Sequence, residues 1–228
     1  MLLIVNSMPK SGSTWFHNFA VRCLSLLGHP TPHVAVGRHV TLNDYANPGA
    51  LSGINLERLL EAARSQTFAI KAHVPPNEEL LAALRTGAAR MVFLIRHPAD
   101  IVASSLAFAE NRRSRNDDTP YNALHLPREA ADFVAPWVDQ AEAWFAAGPP
   151  AAIRRYEELY ESDASICAAI HDLWPETANV SARALDEMRP ARLSEAERDY
   201  LRVNLRIRPE LTPDVTQTCA VWAQRLGY

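Results

Sequence analysis

One stretch near the start of the chain constrains the fold more than any other part of the sequence. Residues 2–5 form an apolar run without flanking charge, which predicts a buried parallel strand. A short loop of small residues follows, and apolar residues then recur at helical spacing from Phe16 to Leu27, before Gly28. A strand, a tight loop and a helix start, in this order, aim several backbone N–H groups at one point. Such a point binds an anion, usually a phosphate.

The loop reads Pro-Lys-Ser-Gly-Ser-Thr-Trp at positions 9–15. Lys10 adds a mobile positive charge, while Ser11, Ser13 and Thr14 add hydroxyl donors. It is not a Walker A loop, because the Walker A lysine comes late in the loop and here the lysine precedes Gly12. On this stretch alone, a loop that only turns a strand into a helix remains the alternative.

The length of 228 residues suits one α/β domain, which we expect to span residues 1–228. The formal net charge of −3 argues against a nucleic-acid partner. No apolar run approaches the ~20 residues that span a bilayer, so we expect no membrane partner. No signal peptide is visible, and three widely spaced cysteines (Cys23, Cys167 and Cys219) are typical of free thiols, so we expect a cytoplasmic location. The oligomeric state stays unknown.

Three histidines lie close together in a loop-rich stretch, at His29, His33 and His39. Pro30 and Pro32 forbid the helix that would bring His29 and His33 onto one face. Without cysteine or carboxylate ligands arranged nearby, we predict no metal site. A loop in this position could instead line an acceptor pocket.

A second apolar run, residues 67–70, predicts a strand that leads into Lys71 and His73. In open α/β sheets, ligands bind beyond the carboxyl ends of the strands. Histidine takes a proton near neutral pH, so His73 suits the role of a general base. The alternative for a lone histidine is a hydrogen bond to loop backbone.

Two more strands are predicted at residues 91–95 and 151–156. The first leads into Arg96 and then a helix that carries Ser104, and the second ends at Tyr156. A guanidinium and a hydroxyl that converge at a strand end can hold a phosphate, the guanidinium bidentately. The last third of the chain has helical patterns only. Together these segments predict an α/β fold with three layers, in which helices flank a parallel sheet.

Four segments resemble the sulfotransferases that use 3′-phosphoadenosine 5′-phosphosulfate (PAPS). Residues 9–15 match the family's 5′-phosphosulfate loop, P-K-S/A-G-T/S-T-W, and residues 71–75 match its K-x-H-x-P segment. Residues 96–104 match its R-x-P-x-D-x-x-x-S motif, with histidine where asparagine is common, and residues 156–158 match its Y-E-D/E segment. The resemblance implies a P-loop-like domain that transfers a sulfuryl group from PAPS to a hydroxyl, or less favourably an amine, and releases 3′,5′-bisphosphoadenosine (PAP).

The resemblance also implies a role for each matching residue. His73 would deprotonate the acceptor, Lys10 would neutralise the departing phosphate, and Lys71 would support the sulfuryl oxygens. The residues that would hold the nucleotide are Lys10, Ser11, Gly12, Ser13 and Thr14 at the 5′ chain, Arg96 and Ser104 at the 3′-phosphate, and Trp15 and Tyr156 at the adenine. The acceptor would be a small molecule or a glycan-type molecule.

The sequence departs from the resemblance in its last third. The familiar cytosolic enzymes have an R-K-G-x-x-G-x-W lid there. The shortest remnant of it in this chain contains Arg189 and Arg192, and the simpler interpretation is that both are ordinary surface residues. Two alternatives therefore stay open: a P-loop kinase that uses ATP, and a nucleotide-binding module without catalysis. The kinase is disfavoured because the chain lacks a Walker A loop and a clear magnesium-binding aspartate. The binding module is disfavoured because pure binding needs no base.

Overall fold

A four-stranded parallel sheet organises the computed structural model, which describes residues 1–29, 51–116, 118–148, 151–194 and 209–228. In the described residues the strand order is β2-β1-β3-β4. The strands are β1 (Leu2–Ser7), β2 (Phe68–Ala72), β3 (Ala89–Ile95) and β4 (Ala151–Arg155). All three pairings are parallel, so the four carboxyl ends lie along one edge.

Helices connect and cover the strands. In chain order they are α1 (Ser13–Leu26), α2 (Gly53–Ser65), α3 (Glu78–Arg85), α4 (Pro98–Ser114), α5 (Pro127–Ala146), α6 (Tyr156–Leu159), α7 (Asp163–Leu173), α8 (Ser181–Glu187) and α9 (Pro213–Arg225). Short 3₁₀ turns lie at Pro120–Ala123, Pro175–Asn179 and Pro190–Arg192.

The sheet buries both of its faces, because successive side chains of a strand point to opposite sides. In β1, Leu2 and Ile4 pack on one side with α2, α3, α4, α5 and α9. Leu3 and Val5 pack on the other side with α1, α7 and α8. Strands buried on both faces read as continuous apolar runs, which is why β1 and β3 stand out in the sequence. The predicted three-layer α/β fold with a helical last third is confirmed for the described residues.

Element boundaries differ from the predictions by a few residues. β1 extends to Ser7, and β2 continues to Ala72, one residue before His73. Helix α2 begins at Gly53, directly after Ser52. Asn77 caps α3, because its Oδ1 accepts from the backbone N–H of Leu80 at 2.9 Å. His33 and His39 lie outside the described residues.

No helix in the described part of the chain is both long and apolar enough to cross a membrane.

Candidate active site

All the predicted site residues except Ser104 lie at or just beyond the carboxyl edge of the sheet. The loop after β1 carries Lys10 through Gly12, and α1 begins with Ser13, Thr14 and Trp15. Lys71 lies near the end of β2, His73 just after it, Arg96 just after β3 and Tyr156 just after β4. The parallel sheet therefore brings residues from four distant parts of the sequence to one edge.

The loop after β1 has the backbone of an anion site. Lys10 and Gly12 both have positive φ, 63° and 81°, so the chain turns sharply before α1 starts at Ser13. A positive φ costs any residue with a side chain except in special settings, and Lys10 tolerates it here inside a packed loop. Ser11 is fully buried, and its Oγ makes no hydrogen bond with any described residue. A buried unpartnered hydroxyl next to a helix start fits a phosphate or sulfate group.

The chain has only two lysines, because 21 of its 23 lysine and arginine residues are arginines. Both lysines belong to this site. The Lys71 ammonium is almost completely buried and donates to Thr14 Oγ1 at 3.1 Å, so it lies against the first turn of α1. The Lys10 ammonium lies over the ring of Phe108 in α4, 4.2 Å from its centroid. Lysine carries a compact point charge, whereas arginine carries a broad, planar one. One lysine charge is therefore carried by the loop itself, and the other lies against the first turn of α1.

His73 is held by main-chain atoms of β1. Its Nδ1 lies 2.8 Å from the carbonyl oxygen of Ser7 and 3.2 Å from Ser7 Oγ. A carbonyl can only accept, so Nδ1 carries the proton and Nε2 carries the lone pair. Burial lowers the pKa of His73 to about 4; the bond to Ser7 opposes this shift, and the Lys71 charge adds to it. The imidazole is therefore neutral at neutral pH.

The chain immediately after His73 is clamped as well. The Asn6 side chain accepts from the N–H of Val74 at 3.0 Å and donates to its carbonyl at 2.9 Å. The indole of Trp144 donates to the same carbonyl at 2.9 Å. The edge of Trp137 faces the His73 ring, with centroids 5.9 Å apart. These contacts fix the backbone and ring of His73, and the sequence motif did not indicate Asn6 or Trp144.

Arg96 touches the loop as well as its own strand end. Its Nη1 donates to the carbonyl of Lys10 at 3.1 Å, and its guanidinium stacks on Tyr156, 4.2 Å from the ring centroid. Its Nε lies 3.8 Å from Asp100 Oδ2 and makes no hydrogen bond with a described residue. Arg96 thus supports the strained backbone at Lys10, a contact that joins residues 86 positions apart and that no local motif predicts.

Ser104 lies on α4, where its side chain is half-buried. No hydrogen bond among the described residues joins it to Arg96, so their convergence on one phosphate stays a prediction.

Trp15 and Tyr156 were predicted to flank the adenine, and a third ring lies against both of them. Tyr160 packs 5.4 Å from Trp15 and 4.5 Å from Tyr156, centroid to centroid. Its hydroxyl donates to the carbonyl of Gly12 at 3.0 Å. The sequence reading did not include Tyr160, although its spacing of four residues from Tyr156 places both rings on one face of a helical turn.

Arg189 and Arg192, considered as remnants of a lid, form ion pairs at the surface. Arg189 pairs with Asp163 at 2.9 Å and with Asp186 at 3.3 Å, and Arg192 pairs with Asp186 at 2.8 Å. These partners explain both arginines without a role in nucleotide binding. In the described residues, no cluster of three or more histidine, cysteine, aspartate or glutamate side chains could hold a metal ion.

Comparisons with known proteins identify the family of this chain. The family model of the sulfotransferase domain matches residues 2–166 of the 228. The chain belongs to the sulfotransferase family. A search of curated proteins by sequence finds no match.

Among solved structures, this sulfotransferase resembles retinol dehydratase in complex with androsterone and PAP, at 12% identity and a TM-score of 0.58, over 99% of this chain and 80% of that one. It resembles mouse sulfotransferase SULT7A1 complexed with PAP at 14% identity and a TM-score of 0.56, over 99% and 83% of the two chains. At these identities the likeness shows the shared fold. The predicted family and fold are therefore confirmed.

Proposed function

We propose that this sulfotransferase transfers the sulfuryl group of PAPS to a hydroxyl group of a small acceptor, with an amine as the less favoured acceptor. The observation that carries the residue-level proposal is the bond from His73 Nδ1 to the Ser7 carbonyl, 2.8 Å long. It selects the tautomer that a general base needs at the same sheet edge as the anion loop.

The described residues fit the nucleotide. The buried, unpartnered Oγ of Ser11 and the N–H groups at the start of α1 suit the 5′-phosphosulfate. The Nε of Arg96, which makes no hydrogen bond with a described residue, suits a 3′-phosphate together with Ser104 on the following helix. Trp15 and Tyr156 suit an adenine ring, as flat aromatic faces do. PAPS when bound supplies an activated sulfuryl group, and PAP is the product that leaves.

The residues of the chain divide the chemistry among them. His73 accepts the acceptor's proton at Nε2, and its lowered pKa keeps it in the neutral, accepting form at pH 7. Lys71, held by Thr14, faces the loop with a buried positive charge that suits equatorial oxygens. Lys10, whose ammonium lies over the Phe108 ring, suits the leaving phosphate.

Two wider proposals accompany the mechanism. We place the protein in a reducing compartment such as the cytoplasm, because Cys23, Cys167 and Cys219 are free thiols. We also take residues 1–228 as one domain. Support comes from α9, which packs with α4 and α5 against the sheet face that carries Leu2 and Ile4 of β1.

The deciding experiment compares PAPS with ATP as donor and replaces His73. The unmodified protein should bind PAP and show turnover with labelled PAPS across a panel of alcohols, phenols and amines, and none with ATP. His73→Gln should lower kcat on the order of 10²–10⁴-fold while the Kd for PAP stays unchanged.

His17→Gln is the matched control. Like His73, His17 is buried, and burial lowers its pKa to about 4. One of its ring nitrogens, here Nε2, lies 3.4 Å from a backbone carbonyl, that of Ala69. It should share the stability loss of His73→Gln and keep its kcat. Loss of PAP binding together with turnover in His73→Gln would show that His73 is a structural or nucleotide-binding residue. Turnover with ATP would favour the kinase.

A further inference from the structure

Tyr160 makes the contact that carries this inference. It lies just beyond α6, and its hydroxyl donates to the carbonyl of Gly12 in the anion loop at 3.0 Å. The two residues are 148 positions apart, so the bond ties the end of the β4 connection to the first loop of the chain. Burial raises the pKa of Tyr160 well above its ordinary value, so the phenol keeps the proton that it donates.

The acceptor of this bond is at a decisive place in the loop. The Gly12 carbonyl also accepts from the N–H of Phe16 at 3.0 Å, which is the first hydrogen bond of α1. In a trans peptide the C=O and the following N–H point in opposite directions. The two donors on the Gly12 carbonyl therefore set the direction of the Ser13 N–H, which is one of the groups that the helix start offers to an anion.

The ring of Tyr160 also packs directly on Gly12. A Cβ at position 12 would lie 2.8 Å from Tyr160 Cε2 and 3.0 Å from Tyr156 Cδ2. Tyr160 also lies against Trp15, with ring centroids 5.4 Å apart. The phenol is therefore wedged between loop and helix, and its polar atom points at the loop backbone.

We propose that Tyr160 is a positioning residue that holds the Gly12–Ser13 peptide in the orientation that binds the 5′-phosphate end of the nucleotide. The proposal rests on the proposed function for the identity of the ligand. The bond from Tyr160 to Gly12 forms without a ligand, so the role of Tyr160 and the proposed function can be tested separately.

The first test measures nucleotide binding by calorimetry in Tyr160→Phe, which keeps the ring and removes the hydroxyl. The Kd for PAP should rise about 3- to 10-fold, the usual worth of one neutral hydrogen bond. The Kd for adenosine 3′-monophosphate, which lacks the 5′-phosphate, should stay within twofold. In steady-state assays KM for PAPS should rise with KM for the acceptor unchanged, a split that general loss of stability would not produce.

Thr177→Val is the matched control. Its hydroxyl also donates to a backbone carbonyl, that of Trp174 at 2.7 Å, at a buried position away from the loop. It should lower stability to a similar extent and leave the Kd for PAP unchanged.

The second test needs no ligand. Hydrogen exchange of the peptide that covers residues 8–16 should be faster in Tyr160→Phe than in the unmodified protein and in Thr177→Val. Failure of the unmodified protein to bind PAP would overturn the proposed function, and the exchange result would still decide the role of Tyr160. Unchanged exchange, an unchanged Kd for PAP, or equal weakening of PAP and adenosine 3′-monophosphate would each overturn the proposal. Tighter PAP binding would do so too, because it would mean that the phenol competes with the nucleotide.

Discussion

The two halves of the sheet edge hold their side chains in different ways. Beyond β1 and β2, strand β1 does the holding: its Ser7 carbonyl is bonded to the ring of His73, and its buried Asn6 side chain is bonded to the chain after His73. Beyond β3 and β4, planar side chains hold one another: the guanidinium of Arg96 lies on Tyr156, whose ring packs on Tyr160. The first arrangement follows once the sheet forms, whereas the second depends on rotamers that a substitution can change.

This difference suggests a division of work. We expect the β1–β2 half to set the rate of the chemical step, because its His73 and Lys71 are buried and held by hydrogen bonds. We expect the β3–β4 half to set affinity for the nucleotide, because its stacked side chains reach across to the loop. The predictions below test that division, starting with the largest effect.

Lys10→Ala should lower kcat on the order of 10²–10³-fold, the usual cost of removing a donor that faces developing charge. Lys10→Arg keeps the charge and should recover part of the loss. Both variants keep a side chain at the positive φ of 63°, so the backbone demand is the same in each. Single-turnover kinetics with PAPS measure the effect. A kcat within threefold of the unmodified protein in Lys10→Ala would remove Lys10 from the chemical step.

Gly12→Ala should weaken PAP binding on the order of a hundredfold, since two charge-assisted hydrogen bonds, about 3 kcal/mol together, depend on the loop backbone. The new Cβ would meet Tyr160 Cε2 at 2.8 Å. Gly87→Ala is the control, because Gly87 has a similar φ, 73°, with nothing within 4 Å of its Cβ position. It should lose about 1–2 kcal/mol of stability from backbone strain and keep PAP binding. Equal PAP affinity in the two variants would mean that the tyrosine contact is unimportant.

Stability should fall as the pH is lowered from about 6.5 to 4, because burial lowers the pKa of both His17 and His73 from 6.5 to about 4. In that window the unfolded chain binds more protons than the folded one, so the free energy of unfolding rises with pH. Each histidine should contribute about 3 kcal/mol at most. Urea unfolding of the unmodified protein and of His17→Gln, at pH 7 and pH 4.5, isolates the share of His17. A difference between the two proteins that does not change with pH would contradict the assignment.

Arg96→Ala should have the smallest of these effects, and it tests whether the two halves of the sheet edge act independently. Arg96 supports the Lys10 carbonyl at 3.1 Å, so its loss should weaken adenosine 5′-monophosphate about 3- to 10-fold as well as PAP. Ser104→Ala should weaken PAP alone. Titration of both nucleotides into both variants makes the comparison. If adenosine 5′-monophosphate binds Arg96→Ala normally, Arg96 acts on the 3′-phosphate only and the two halves are independent.

The strands, the loop and the strand-end positions were predictable because each is encoded within a few consecutive residues. The run before Lys10 is apolar because β1 is buried on both faces, and β3 stands out for the same reason. His73 could be chosen because it follows such a run directly. These features need no knowledge of distant contacts.

The supporting contacts could not be predicted in this way. The bond from Tyr160 to Gly12 and the bond from Arg96 to Lys10 span 148 and 86 residues. Tyr160 offered one local signal, its spacing of four residues from Tyr156, but helical spacing alone does not say which surface the shared face meets. The order of the strands, β2-β1-β3-β4, places β3 between β1 and β4, so the segments that follow these three strands lie along the same edge of the sheet.

The use of just two lysines has a practical consequence for labelling. Lys71 is 5% exposed, so Lys10 is the more open of the two lysines. A small lysine-directed acylating probe should therefore form its major lysine adduct at Lys10. Intact-mass spectrometry of that adduct, with and without PAP, would count occupied sites per molecule and report ligand entry in a sample too dilute for calorimetry.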